Sequence, residues 1–242
     1  MALPRPLRRA VAVTGAATLA ATLTVGTAAA PAGAASDSAI AKAGVIVQSD
    51  LGAQWSGAPA DESGNKLALK AAAEYPECKD YILLNKLNRK QPNADSKDWT
   101  LDDQSISDKS FVYSSESAAK KAMTLAKSPD MADCLTSSFQ SLLGDQLAKS
   151  PDASKIASFN VLIDEVTGLP ATGDDIAGYA GGVEITYKDG TVEQLLTGTA
   201  LVRVGRVLLT YSFSAPPSAT DYTSALDSAI ENTVSRTEKA QK

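Results

Sequence analysis

The 242-residue chain has no histidine, two cysteines and few aromatics: 2 Trp, 7 Tyr and 4 Phe. Without an imidazole there can be no Ser-His-Asp triad, no Cys-His dyad and no histidine-held metal. The sparse aromatics offer no visible platform for stacking sugars, and Trp99, Tyr113 and Tyr211 read as sheet packing. Past residue 35 no charge-free apolar run approaches the roughly 20 residues of a membrane span. Basic residues are also in deficit, at a formal net charge of −5. The one basic cluster, Lys86, Arg89 and Lys90, sits in a charged, polar stretch and reads as a solvated helix end. A nucleic-acid footprint needs a basic face, so no nucleic-acid partner is expected.

What the chain does have begins with a leader. Arg5, Arg8 and Arg9 precede an uncharged run from Ala10 to Ala35 with small-residue cleavage points at Ala30, Ala34 and Ala35. That layout reads as a secretory signal peptide over residues 1–35, followed by one domain over 36–242. The polar start Ser36-Asp37 favours cleavage after Ala34 or Ala35. The rival reading is an uncleaved anchor, but only Leu19 and Leu23 are strongly apolar within it, which makes a weak membrane helix. Arg8-Arg9 hints at twin-arginine export, yet strongly apolar residues do not follow the pair, and Sec export fits equally. No cysteine lies near the cleavage points, which argues against a lipoprotein. The expectation is a secreted, extracellular protein with no stable membrane insertion after cleavage.

Export sets the redox context. A lone cysteine pair in an oxidising compartment is expected to bond to itself, joining Cys78 to Cys134. Catalytic dithiols favour a Cys-x-x-Cys turn, and this pair is far apart in sequence, so a structural staple is the reading. Closing such a loop stabilises a fold by roughly 4 kcal/mol in the chain-entropy account.

Periodicity supplies the elements. Residues 36–64 are loop-rich, with Val45-Ile46-Val47 and Trp55 packing onto the core; 66–74 is helical, Pro76 breaks it, and 78–87 forms a second helix. Residues 92–97 read as a polar loop, then 99–107 and 110–114 as two strands with Asp108-Lys109 at the turn. Two helices follow: 115–127, and one restarting at Ser128-Pro129 that carries Cys134 on its apolar side. Phe159, Val161 and Ile163 alternate with polar neighbours, as do Val183, Ile185 and Tyr187 before the Asp189-Gly190 turn. A long partner strand from Thr191 bends near Gly198, Gly205 marks a reversal, and Val207, Leu209, Tyr211 and Phe213 face inward on the last strand. Pro216-Pro217 ends the sheet, and Ser218 caps a closing helix whose Tyr222, Leu226, Ile230 and Val234 face the core. This order predicts an α+β fold: one antiparallel sheet flanked by helices, in a single domain with one disulfide.

Candidate chemistries are few. Ser63-Gly64-Asn65-Lys66 and Ser117-Ala118-Ala119-Lys120 both fit Ser-x-x-Lys, but neither Lys-Thr-Gly nor Ser-Asp-Asn accompanies them. Asp102-Asp103 and Asp174-Asp175 are carboxylate pairs open to glycoside chemistry or to a reading as plain loop acids. Arg203 and Arg206 flank the Gly205 turn and suit bidentate capture of an anion, or else hold carboxylates there. Asp174, in the Thr172-Gly173-Asp174-Asp175 element, could border the same pocket, and Tyr211 completes the candidate ligand-binding set. No dinucleotide fingerprint, phosphate loop or metal set is present, and no cofactor is expected.

The order of several features resembles a known family. Leu51 to Trp55, Cys78, the Ser110-Phe111-Val112-Tyr113 strand before an alanine-rich helix, Cys134, Gly173-Asp174 and Arg203-Val204-Gly205-Arg206-Val207 follow one another through nearly the whole mature chain. That arrangement resembles the actinobacterial extracellular sensor-like domain, the PknH-type ectodomain of some mycobacterial serine/threonine kinases, here as a free secreted protein. The resemblance implies a helix-flanked antiparallel sheet with a cleft for an extracellular ligand, and it brings no catalytic residues. The chain departs from kinase-linked members in having one cysteine pair and neither kinase nor transmembrane helix. The expectation is therefore a non-catalytic binding domain for an unknown small molecule or cell-envelope component. A secreted hydrolase using carboxylates or a Ser-Lys pair, and a protein-interaction or envelope scaffold, are the alternatives.

Overall fold

Among the described residues, eight strands make one sheet: β1 (Ser56–Ala58), β2 (Asn93–Asp95), β3 (Asp98–Leu101), β4 (Gln104–Val112), β5 (Ile156–Glu165), β6 (Asp175–Tyr187), β7 (Val192–Val204) and β8 (Val207–Ala215). Their order is β1-β3-β4-β8-β7-β6-β5, with β2 paired to β4, and every pairing is antiparallel. The helices are α1 (Asp37–Ala43), α2 (Gln48–Leu51), α3 (Ser63–Ala72), α4 (Lys79–Asn88), α5 (Glu116–Ala126), α6 (Met131–Ala148) and α7 (Tyr222–Ala240). The structure is a computed structural model describing residues 35–61, 63–169, 172–219 and 222–242, without the side chains of 63–65 and 222. The expected leader lies outside the described residues apart from Ala35, as do the Ser63 side chain of one Ser-x-x-Lys match and the core-facing side chain expected of Tyr222.

Helices cover both faces of the sheet. On one face α4, α5 and α6 bury Leu84, Ala122, Met123 and Leu143 against Phe111, Tyr179, Leu201 and Leu208. On the other, α1, α2 and α7 bury Ile40, Leu51, Ile230 and Val234 against Ile106, Val202, Leu209 and Tyr211. The last strand is therefore buried on both sides: Leu208, on the face opposite Leu209 and Tyr211, is as inaccessible as they are. The α+β antiparallel sheet with flanking helices is as the periodicity predicts, and Cys78–Cys134 is bonded.

Local chemistry accounts for the elements that position the cleft. Ser115 caps α5 by accepting from the Ala118 N–H at 3.2 Å, filling a donor the first turn leaves open. Ala119, Ala122 and Ala126 then let α5 lie close against the strands. Gly190 (φ 85°) and Gly205 (φ 56°) supply the left-handed residues of the two hairpin turns. Pro76 opens a short 3-10 turn (Pro76–Cys78) that leads into α4.

Several expectations are corrected. Asp108-Lys109 is not a turn: β4 runs straight through it, and the reversal falls at Asp102-Asp103, with Asp102 at φ 50°. These turn-like residues stay in a strand because each has a partner. Asp108 accepts the Ile46 N–H at 2.8 Å, and Lys109 pairs across to Asp95 at 2.6 Å. Asp95 belongs to β2, a strand in what read as a polar loop. Residues 36–64, expected to be loop-rich, hold α1, α2 and β1, although Ile46 and Trp55 do pack into the core. The helix expected from Pro129 starts at Met131, preceded by Asp130. Strand β6 begins at Asp175, well before Val183. Strand β7 is continuous past Gly198, because the ring of Phe213 on the paired strand occupies the space a side chain would need. Ser218 sits in a turn ahead of α7, and residues 220–221, where the cap of that helix would fall, are outside the described set.

Candidate ligand-binding cleft

The four sequence-derived candidates, Arg203, Arg206, Asp174 and Tyr211, fall in three separate places. Arg203 and Asp174 meet at 3.0 Å, and Asp174 also accepts the Gly205 N–H at 2.6 Å, so this pair closes the Gly205 turn on itself. Arg203 gives a further bond to the Gly205 carbonyl at 3.1 Å. Arg206 turns away, to Asp37 at 2.6 Å and the Tyr113 carbonyl at 3.0 Å, tying α1 to the sheet. Tyr211 is fully buried under α7 with its hydroxyl 2.5 Å from Thr233, and burial lifts its pKa well above the usual phenol range. The structure thus joins Arg203 to Asp174 and leaves Arg206 and Tyr211 elsewhere. None of the four lines the cavity described next. Ser117 and Lys120 of the second Ser-x-x-Lys match are both solvent-exposed on α5.

A cavity of about 100 Å³ lies between the sheet and the helices α4 and α6. Its walls are apolar: Tyr81 and Leu84 from α4, and Met131, Leu135 and Phe139 from α6. Burial raises the pKa of Tyr81, and the nearby Arg89 only partly offsets it. Its floor is a run of hydroxyls created by strand register. Ser107 stands opposite Ser212, Ser212 opposite Thr199, and Thr199 opposite Tyr179. One step along the strands, Ser105 faces Ser214 and Ser214 faces Thr197. Residues two apart share a face, so these side chains rise from the same side as Phe111, Leu201 and Leu208. Outside the cavity that face is mostly hydrocarbon, with two buried cations that are each paired, Lys109 to Asp95 and Arg203 to Asp174.

Part of the floor is paired internally. Thr199 donates to the Tyr211 carbonyl at 2.8 Å, Thr197 to the Phe213 carbonyl at 3.3 Å, and Ser105 and Ser214 share a bond of 2.7 Å. Two cavity-bordering atoms have no partner among the described residues: Thr210 Oγ1 and Asp98 Oδ1. Asp98 accepts the Asp61 N–H through its other oxygen at 3.0 Å; burial raises its pKa, and the carboxylates of Asp61 and Asp95 push the same way. Asn88 bridges floor and wall, its Oδ1 taking the Tyr113 hydroxyl, whose pKa burial also raises. Tyr179 closes the inner end by donating to the Ala126 carbonyl at 2.7 Å, and burial pushes its pKa up to about 12.

The disulfide holds the walls together. Cys78 precedes α4 and Cys134 lies within α6, both at zero exposure, so the bond joins the helices that carry Tyr81 and Leu135. Ser137 of α6 adds a 2.8 Å bond to Glu77. Chemically the cleft offers hydroxyls, amides and one carboxylate against hydrocarbon. Among the described residues no group of three or more His, Cys, Asp or Glu side chains could hold a metal, and no helix is long and apolar enough to cross a membrane.

Sequence reasoning missed this site. Each serine and threonine of the floor sits in a strand whose other face carries the apolar signal, so none stands out by type or motif. The register through Ser107, Ser212 and Thr199 brings them together across the β7–β8 hairpin and β4, which is distant from it in sequence.

Comparison with known proteins adds no family. No family model and no curated protein matches the chain. Among solved structures, the Saccharomyces cerevisiae Ran-binding protein Mog1p is similar over 56% of this chain and 62% of its own, at 13% identity and a TM-score of 0.18. A single-site mutant of Mog1 gives 12% identity over 56% of this chain and 63% of its own, again at 0.18. The match spans less than two-thirds of either protein, and scores of this size carry no argument about function.

Proposed function

We propose that this chain is a secreted, non-catalytic ligand-binding domain whose site is the cleft between α4, α6 and the hydroxyl floor of β4, β8 and β7. One observation carries the reading: the neutral hydroxyl side chains of a mostly hydrocarbon sheet face are gathered under a cavity, and two polar atoms at its border have no partner among the described residues. A core gains nothing from such groups, because an unpaired buried polar atom costs free energy that an apolar one of the same shape does not. A concave, mostly apolar site with a few convergent polar groups has the lining of a small-molecule pocket, and at about 100 Å³ against the roughly 300–1,000 Å³ of such pockets it encloses only part of a ligand. The secretory leader and the sensor-like resemblance support the same reading, with a cell-envelope component or an extracellular small molecule as ligand. The test is a thermal-shift screen of envelope fragments, lipids and metabolites, since anything that binds the native state raises its melting temperature. Each hit is repeated on Ser212→Phe, which fills the floor. Loss of the shift in that variant is expected. Hits that survive the substitution unchanged, or substrate turnover by the purified protein, would overturn the proposal.

A further inference from the structure

Resting on the cleft reading, we infer that the ligand is a neutral, polyhydroxylated small molecule, a sugar or cyclitol presenting one apolar face. Charge makes the first selection. Asp98 is the one charged residue lining the cavity, and no lysine or arginine joins it. A carboxylate or phosphate ligand would be desolvated beside a carboxyl group, and the buried cation on this face opposite Thr210, Lys109, is already committed to Asp95 at 2.6 Å.

Hydrogen-bond capacity makes the second. Thr197 and Thr199 spend their protons on strand carbonyls, so towards the cavity they can only accept. Asn85 spends one amide N–H on the Tyr81 carbonyl at 2.9 Å and keeps the other with its oxygen, whereas Asn88 accepts from Tyr113 and keeps its N–H groups to give. Ser107 and Ser212 can turn either way. A floor of mixed donors and acceptors at close spacing matches groups that are themselves both, which means hydroxyls. A fatty acyl chain would leave the floor unpaired and lose the cost of desolvating it.

Shape makes the third. Tyr81 and Phe139 come from separate helices, and the fold sets both along the wall opposite the hydroxyls. The chain that looked too poor in aromatics for a sugar platform gathers four of them at one cavity, with Tyr179 and Phe213 joining Tyr81 and Phe139. A pyranose or inositol ring has polar edges and a C–H face, so it satisfies the floor and the wall together.

The experiment is titration calorimetry of the full mature protein with glucose, N-acetylglucosamine and myo-inositol, each matched against glucuronate, octanoate and butylamine. Octyl glucoside below its micelle concentration separates a free sugar from the head of a glycolipid. At least one neutral polyol is expected to bind. The Ser107→Ala/Ser212→Ala double variant should weaken it tenfold or more without lowering the melting temperature, and Lys120→Ala, exposed on α5 outside the cavity, should keep it within about threefold. Octyl glucoside binding more tightly than glucose would identify the glycolipid source and support the inference equally. Silence from every neutral polyol and from octyl glucoside overturns it. If octanoate or butylamine then binds and Ser212→Phe abolishes that binding, the cleft reading stands with a different ligand. If no probe binds, both fall.

Discussion

Asp108 is a carboxyl group buried in the middle of a sheet. Its Oδ1 accepts the Ile46 N–H at 2.8 Å, while Oδ2 has no partner among the described residues. Burial is the largest influence and raises its pKa from 3.8 to about 7, with Asp50 adding to the rise. The Ile46 N–H, Ser96 and Arg236 offset only part of it. Arg236 is already committed to Asp50 by two bonds of 2.7 and 2.8 Å. A carboxyl whose folded pKa exceeds its unfolded one binds more protons when folded, so it costs stability progressively as pH rises from about 4 to about 7. Each pKa unit is worth about 1.4 kcal/mol, so a shift of this size makes the ionised group cost roughly 4 kcal/mol at pH 8. Asp108→Asn keeps the acceptor for Ile46 and never ionises. Urea unfolding of both proteins from pH 4 to pH 8, followed by the fluorescence of the buried Trp55 and Trp99, isolates the effect. The variant's stability relative to wild type should climb by a few kcal/mol across that window and level off above it. The amide's added N–H needs an acceptor, which shifts the whole difference by a constant and leaves its slope intact. A difference that is flat with pH would refute the reasoning.

Three further outcomes follow from the same packing. Reducing Cys78–Cys134, or replacing both by alanine, should cost roughly 4 kcal/mol in urea unfolding and weaken any cleft ligand, because the bond joins the two walls. Thr210→Val should raise the melting temperature, by about 1 kcal/mol of stability, since the hydroxyl it removes is shielded and has no partner among the described residues. Gly198→Ala should lose roughly 2 kcal/mol by the same measurement, because the new Cβ would meet Tyr179 O at 2.6 Å and the Phe213 ring at 2.3 Å.

The extent to which the chain could be read from its residues divides along physical lines. Alternation set the inner faces of Val161, Ile163, Val183 and Ile185, and all four are buried. Leu226, Ile230 and Val234 announced the core stripe of α7 at helical spacing, and the lone cysteine pair announced its own bond. These are local or combinatorial signals: a period of two, a period near 3.6, and one possible pairing within the chain. Asp108-Lys109 misled because turn propensity is also local, whereas the partners that keep both residues in a strand, Ile46 and Asp95, come from other elements. The alternation of Val207, Leu209 and Tyr211 marked only one inward face of the last strand, since one-sided alternation cannot reveal that helices cover both and bury Leu208 as well. The arginines at Gly205 were legible as a turn, but their commitments to Asp174 and Asp37 depended on how α1 and the 172–175 segment dock.

By itself, then, the order of residues determined an α+β chain with an antiparallel sheet, flanking helices and one disulfide. Only the tertiary structure decided where a ligand could sit. The cleft is made by antiparallel register, which sets Ser107, Ser212 and Thr199 in one row, and by a disulfide that brings α4 and α6 over it. Register between distant strands is chosen by the total burial of both sheet faces, a quantity belonging to the whole fold that no segment carries alone.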